Sequence, residues 1–357
     1  MGSRVPTVPR PREGFVSIFG HQEEARDRRT PGSGIPRKEV IMEPRASKVA
    51  IVGAGAVGAT LAYNLALKGT VTELALIDVN LEKAQAEILD IQQGASLGRS
   101  IQMTAGGYEE CRDAAITIVT AGARQKPGET RVDLLSRNVG IVRDIVRSSV
   151  GAGFQGAFLL ITNPVDVLTW VAFAESGFPA ARVIGTGTTL DSARLREHVA
   201  RHCRVNPTNI HGYVLGEHGD TSFPAWSLLT VGGVHLDEFC PFCQSCVEKD
   251  EFRARAAEEI RQAAYRIIEA KGSTSYAIGQ AASVIVESIV RDERRILPVS
   301  TVRKDYRGIE RTAFSFPTIV GRGGAETVLQ FTLPPEEDEL LLKSARFVAE
   351  NIVAAGY

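Results

Sequence analysis

The chain has 357 residues, 44% of them hydrophobic and 23% charged, which is long enough for two domains sharing a substantial core. Its formal net charge of -1 gives no global field to hold nucleic acid or an anionic membrane, and no apolar run approaches the roughly 20 residues that span a bilayer. Five cysteines in a chain of this length make no disulfide scaffold and fit a reduced, cytoplasmic setting.

The first 41 residues hold five prolines, seven arginines and no hydrophobic periodicity, so residues 1–46 are expected to be a disordered leader or a mis-assigned start. A mitochondrial transit peptide would share the arginines but lack the acids Glu13, Glu23, Glu24, Asp27 and Glu39. Codons for Lys38-Glu39-Val40 can spell a purine-rich ribosome-binding sequence ahead of Met42, which makes Met42 the expected initiator.

From Lys48, "KVAIVGAGAVGATLAYNLALKG" predicts a short buried strand, a glycine turn around Val57, and an apolar helix ending at Gly69. Gly53, Gly55 and Gly58 form G-x-G-x-x-G: one glycine for the tight turn, one for close approach to a pyrophosphate, one for the contact of helix with strand. "ELALIDV" follows as a second strand ending in Asp78, which suits ribose hydroxyls and repels a 2′-phosphate. NAD is therefore favoured over NADP. Two more buried strands, "AAITIVTAGA" and "AFLLITNP", flank a helix beginning near Arg131. This alternation predicts a Rossmann-type doubly wound parallel sheet over residues 47–186, an α/β NAD-binding domain. Ligands meet such sheets at the carboxyl ends of the strands, where Thr120, Ala121, Gly122, Thr162 and Asn163 sit.

Residues 187–357 predict a mixed α/β catalytic domain packed on the first, with the site in the cleft between them. Its elements are strand-like "NIHGYVLG", a helical stretch from about Glu248 interrupted at Gly272, strands "FSFPTIVG" and "ETVLQFTL", and a closing helix "EEDELLLKSARFVAENIVAAG". Here "GEHGD" sets His218 between glycines and acids. An imidazole titrates near neutral pH, with an unperturbed pKa of about 6.5, so this turn is either a plain polar turn or a device that aims a proton donor into a cleft.

Six ordered blocks, "GAGAVG", "AGARQKPGETR", "ITNPVD", "LDSARLR", "GEHGD" and "KGSTSYAIG", resemble the lactate/malate dehydrogenase family, and most closely its bacterial L-lactate dehydrogenases. The resemblance runs from Lys48 to the C-terminus and implies reversible reduction of pyruvate to L-lactate with NADH. It implies that His218 protonates the substrate carbonyl, that Arg131 stabilises charge developing there, and that Asp191 orients the imidazole. Arg194 offers a planar fork to the substrate carboxylate. Arg131 would arrive on a segment around Pro127-Gly128 that closes over the substrate. Asn163 would hydrogen-bond near the nicotinamide, Thr274 would line the substrate pocket and Ile278 would pack on the nicotinamide ring. Ser273 departs from the family pattern, in which a larger residue stands beside the threonine.

Gln125 discriminates between substrates, since the family's malate dehydrogenases carry an arginine there. Glutamine is neutral and leaves room for a small alkyl group, so pyruvate is expected over oxaloacetate. A one-residue shift of the loop would present Arg124 instead, which keeps malate dehydrogenase as the alternative. A non-catalytic NAD-binding sensor is a second alternative, against which the set Arg131, Asp191, Arg194 and His218 speaks. Arg196 and His211 match the residues with which bacterial relatives bind fructose 1,6-bisphosphate between subunits, so activation by that sugar phosphate and a homo-oligomer, usually a tetramer, are expected.

Cys240, Cys243 and Cys246 form C-x-x-C-x-x-C without a fourth ligand at suitable spacing, so no metal is expected. His198 and His202, four apart in "REHVARHC", are expected on a solvated basic helix face.

Overall fold

A computed structural model describes residues 47–98, 101–123, 131–243 and 249–357. The expected leader lies outside the described residues. The first half of the chain alternates strand and helix in the order β1 (Lys48–Val52), α1 (Ala56–Lys68), β2 (Glu73–Ile77), α2 (Leu81–Ala95), β3 (Gln102–Gly106), β4 (Ile116–Val119), α3 (Arg131–Gly151), β5 (Ala157–Leu160), α4 (Val165–Ser176) and β6 (Val183–Gly185). Most of these strands are unbroken apolar runs rather than alternating ones, because helices cover both faces of a parallel sheet. Helix boundaries follow local chemistry. The side chain of Asn80 accepts the Lys83 N–H to start α2, and Gly69, with φ 58°, closes α1 in the left-handed conformation.

The second half begins with α5 (Thr189–Cys203) and a series of two-residue strands: β7 (Ile210–His211), β8 (Val214–Leu215), β9 (Phe223–Pro224), β10 (Thr230–Val231) and β11 (Val234–His235). Helices α6 (Leu236–Cys243), α7 (Lys249–Lys271) and α8 (Tyr276–Val290) come next, then the long strands β12 (Arg295–Tyr306) and β13 (Ile309–Gly321), β14 (Gly324–Val328) and α9 (Pro335–Ala354). Gly272 does separate two helices, as the sequence pattern predicts. No helix among the described residues is long and apolar enough to cross a membrane.

Among the described residues the main sheet has nine strands, ordered β14-β13-β12-β6-β5-β4-β1-β2-β3. Strands β1 to β6 are parallel, and β12 to β14 run antiparallel to their neighbours. β12 pairs directly with β6, Ser300 opposite Gly185 and Thr301 opposite Ile184, so the sheet passes without a break from the first half of the chain into the second. Alternate residues of each strand feed opposite layers. Val49, Ile51, Leu74 and Leu76 pack with residues of α1, α2 and α8, whereas Ala50, Val52, Ala75 and Ile77 pack with residues of α3, α4 and α9. β1 lies between β2 and β4, the point at which the strand order reverses and the carboxyl ends leave a crevice.

Candidate active site

The chain leaves the carboxyl ends of the parallel strands with the residues that the sequence singles out. Gly53 to Gly58 follow β1, Asp78 follows β2, Thr120 to Gly122 follow β4, Thr162 and Asn163 follow β5, and β6 leads into α5, which carries Asp191 and Arg194. Gly53 has φ +114°, and a Cβ there would stand 2.6 Å from Thr120 Oγ1 and 2.7 Å from the Ala121 nitrogen. A Cβ at Gly58 would run into the Gly53 carbonyl. Gly55 is different: it is the N-cap of α1, no side chain caps that helix, and nothing lies within 4 Å of where its Cβ would be. Two glycines are thus filled in by the protein itself, and the third faces open space beside uncapped helical N–H groups. That is the donor set and clearance a phosphate anion requires.

Asp78 is held toward this turn, its Oδ2 accepting the Ala54 N–H at 2.7 Å and its Oδ1 the Asn80 N–H at 2.9 Å. Thr120 Oγ1 donates to the Gly53 carbonyl at 2.9 Å and Thr162 Oγ1 to the Ala121 carbonyl at 2.7 Å. Asn138 on α3 was not legible as a site residue, being one polar position in an amphipathic helix. Its Oδ1 accepts the Ala123 N–H at 2.7 Å and its Nδ2 donates to the Asn163 carbonyl at 2.8 Å, so a single buried amide joins the segments after β4 and β5. Val57 on α1 and Ile278 on α8 both pack, half-buried, against one core layer, and Thr274 sits half-buried between α7 and α8. These positions fit a dinucleotide laid along the strand ends.

His218 stands at the centre of the second cluster. Its Nδ1 lies 2.6 Å from Asp191 Oδ2, and Asp191 Oδ1 accepts from Arg194 Nη1 at 2.8 Å, one helical turn along α5. Its own N–H donates to Asp166 Oδ2 at 2.7 Å. The His218 side chain is 25% exposed, and its Nε2 has no partner among the described residues, so the second ring nitrogen is free to meet a ligand. Burial would lower the imidazole pKa, but the facing Asp191 carboxylate outweighs it and the pKa is raised to about 9. Burial would likewise raise Asp191, but the charges of His218 and Arg194 hold it below the ordinary carboxylate value.

Asp166 also escaped the sequence reading, although it lies within "ITNPVD". Burial pushes its carboxyl up to about 7, against the influence of Ser300 and the His218 N–H. Among the described residues its Oδ1 and the Ser300 hydroxyl each lack a hydrogen-bond partner while close enough to influence one another. Arg131 is the first residue of α3, but its side chain, like Arg124 and Gln125, lies outside the described residues. The geometry therefore assembles His218, Asp191 and Arg194: a charged imidazole with one open N–H, beside a guanidinium with donors to spare for an anion.

Of the expected effector residues, Arg196 is half-buried on α5, where burial pushes its guanidinium down and Tyr213 opposes this. It has no hydrogen-bond or ion-pair partner among the described residues. His211 is exposed on β7, which packs against α5. The solvated face expected for His198 and His202 is not what the structure shows. Both rings stack on Phe252 of α7, with centroids 5.6 Å and 4.0 Å away, and His198 Nδ1 lies 3.3 Å from Glu259. Burial lowers both imidazoles, because α7 covers the face that the neighbouring arginines suggested was open. Cys240 is buried, whereas the Cys243 side chain and Cys246 lie outside the described residues.

Comparison with known proteins agrees with this layout. Profiles for the lactate/malate dehydrogenase NAD-binding domain and its α/β C-terminal domain match residues 47–185 and 188–355. An L-lactate dehydrogenase of Thermoanaerobacter sp. (strain X514) is 44% identical over 306 residues, 86% of this chain and 98% of the relative. One from Acetivibrio thermocellus is 43% identical over 305 residues, 85% of this chain and 96% of the relative. Among solved structures, a lactate dehydrogenase from a deep-sea metagenome library of the Medee basin superposes with a TM-score of 0.84 at 37% identity, covering 88% of this chain and all of that one. The ligand-bound minor L-lactate dehydrogenase of Enterococcus mundtii gives 0.82 at 41% identity, covering 87% of this chain and 98% of that one.

Proposed function

Because the chain belongs to the lactate/malate dehydrogenase family, with an NAD-binding domain over residues 47–185, we propose that this NAD-dependent enzyme reversibly reduces pyruvate to L-lactate. The observation that carries the reading is the Asp191–His218 pair at 2.6 Å with Arg194 on the same carboxylate. NADH, when bound, supplies the hydride. Gly53, Gly55, Val57 and Gly58 would receive its pyrophosphate and Asp78 its ribose. Thr120, Ala121, Gly122, Thr162, Asn163 and Ile278 would line its path to the nicotinamide.

His218 delivers the proton to the substrate oxygen through Nε2, the nitrogen without a partner, and Asp191 holds the ring with Nδ1 as donor. Arg194 binds the substrate carboxylate with the guanidinium N–H groups that Asp191 leaves free. Arg131 stabilises the oxygen as charge develops, Asn163 and Thr274 shape the pocket, and Gln125 selects the methyl group of pyruvate over a second carboxylate. In this reading the chain divides at residues 186 and 187 into nucleotide and catalytic domains, is activated by fructose 1,6-bisphosphate at Arg196 and His211, assembles as a homotetramer and works in the cytoplasm. The unpartnered guanidinium of Arg196 supports the effector site, since a half-buried cation without a counter-ion suits an anionic ligand.

The test is the rate of NADH oxidation with pyruvate and, separately, oxaloacetate, each with and without fructose 1,6-bisphosphate. Pyruvate should be preferred, and the sugar phosphate should raise its turnover. Preference for oxaloacetate would overturn the assignment of Gln125, and indifference to the effector would remove the role of Arg196 and His211.

A further inference from the structure

The turn that carries His218 is also bonded to the last helix of the chain. The Glu217 N–H donates to Ser344 Oγ at 2.7 Å, Ser344 Oγ and Thr221 Oγ1 are 2.9 Å apart, and Thr221 Oγ1 donates to Glu217 Oε2 at 2.5 Å. With the Glu217 carboxyl ionised, these contacts assign every proton. Thr221 gives its hydroxyl proton to the carboxylate, so it must accept from Ser344, and Ser344 in turn accepts the backbone N–H. The result is a closed ring, Glu217 N–H to Ser344 to Thr221 to the Glu217 carboxylate, in which each hydroxyl donates once and accepts once.

Two further observations place this ring under the catalytic turn. Ser344 is fully buried, and its Oγ occupies the space a Cβ on Gly216 would need, so α9 seats directly on the backbone next to the turn. Gly216 exchanges two backbone hydrogen bonds with Ser315 of β13, at 3.1 Å and 2.8 Å, and Thr312 of the same strand donates to the Ala345 carbonyl at 2.9 Å. α9, β13 and the turn are therefore one bonded unit.

We infer that Thr221 and Ser344 are positioning residues for His218: the ring ties the turn to α9 and so sets how far the imidazole reaches toward substrate. The inference rests on the reading of His218 as the proton donor. Asp191 fixes the direction of the ring plane, but it cannot fix the backbone from which the imidazole springs.

Thr221→Val removes the hydroxyl at constant shape and Thr221→Ser keeps it, so the pair separates hydrogen bonding from packing. Turnover with pyruvate, the pH dependence of kcat/KM, NADH affinity by fluorescence and thermal stability are measured for both, for Ser344→Ala, for the double variant Thr221→Val with Ser344→Ala, and for His218→Ala. Misplacing a reacting group by about 1 Å costs on the order of 100-fold, so Thr221→Val should lower kcat by about 10- to 100-fold. Its alkaline limb should move, NADH affinity should stay within about twofold, and Thr221→Ser should keep most of the turnover. Ser344→Ala should behave like Thr221→Val, and the double variant should be little worse than either, because all three open the same ring. Lower stability with wild-type kcat and pH profile in both Thr221→Val and Ser344→Ala would reduce the ring to scaffolding and overturn the inference. Turnover retained by His218→Ala would overturn the reading of His218 itself, and the ring's role with it. Loss there alongside unchanged kcat in the ring variants would overturn the ring's role alone.

Discussion

Asp191→Asn should convert His218 from a charged donor into a mostly neutral ring, and the size of the effect follows from the geometry. The imidazole stands at a pKa of about 9 against an ordinary value of 6.5. That gap is about 3 kcal/mol of preference for the charged form at 1.36 kcal/mol per pH unit. Burial acts in the opposite direction, so Asp191 supplies the larger part. An asparagine whose Oδ1 still accepts from Arg194 turns its NH2 toward His218 Nδ1, where two donors would face each other unless the ring is neutral. The opposite rotamer sets the NH2 against Arg194 instead. With only the smaller influence of Asp166 left to oppose burial and the Arg194 charge, the imidazole should titrate below 6.5, and at pH 7 the protonated fraction should fall from nearly all to about a quarter or less. Pyruvate reduction takes its proton from the imidazolium, so activity is present below the pKa and lost above it. The alkaline limb of kcat/KM should move from about 9 in the wild type to below 6.5 in the variant, and kcat/KM at pH 7 should fall by about fourfold or more. Steady-state NADH oxidation from pH 5 to 10, at a NADH concentration saturating for each protein, measures both quantities. A variant whose limb stays near 9, or whose rate at pH 7 equals that of the wild type, would refute the pairing as the source of the raised pKa.

The glycines of the phosphate turn make separable predictions. Gly55→Ala meets no atom of the protein, so its melting temperature should stay close to wild type while NADH affinity falls, whereas Gly58→Ala should lose both affinity and stability; fluorescence titration and calorimetry distinguish them. Asp166→Ala leaves the buried His218 N–H without its acceptor and should cost about 1–3 kcal/mol of stability, read from denaturant unfolding. It should also move the alkaline limb of kcat/KM downward by less than Asp191→Asn does, because the Asp166 charge is a smaller influence on His218 than that of Asp191. Asp78→Ser removes the charge that repels a 2′-phosphate, so the preference for NADH over NADPH in kcat/KM should shrink by about tenfold or more. An unchanged ratio would mean that Asp78 serves only the two backbone N–H groups it already accepts.

The parallel half of the fold was legible because its signals are local. Gly53, Gly55 and Gly58 sit between a short apolar strand and an apolar helix, and each stretch of strand, turn and helix can be read within its own window. The second half was read less completely. β12 bears charges at both ends and Pro298 within it, which demotes a run as a strand, yet Pro298 sits opposite Pro317 in the middle of the longest pairing of the sheet. Its antiparallel pairing with β6 joins residues more than a hundred positions apart and leaves no periodic trace in sequence. Asp191, Arg194 and His218 were found through motifs, and the structure does bring these three together. Asp166, Asn138, Thr221 and Ser344 were missed for a common physical reason. Asp166, Asn138 and Ser344 each bond a backbone group far along the chain and Thr221 bonds the Ser344 hydroxyl, and a single polar residue within an apolar or amphipathic stretch does not announce which distant group it satisfies.

The two halves of the site also differ in how far the chain must travel to build them. The phosphate turn is closed by the Gly53 N–H on Ile77 and the Ala54 N–H on Asp78, each 24 residues on, and by the Ala121 N–H on Val52, 69 residues back. The bonds that hold His218 and its turn reach across 27 residues to Asp191, 52 to Asp166 and, from Glu217, 127 to Ser344 near the C-terminus. Contacts of large sequence separation close late, because loop entropy must be overcome before they reward the chain. The longest of these spans is the bond from Glu217 to Ser344, so the last anchor of the acid–base turn waits for α9. Cofactor affinity and proton transfer are secured by different sets of bonds, which is why Gly55→Ala and Thr221→Val should each impair one and spare the other.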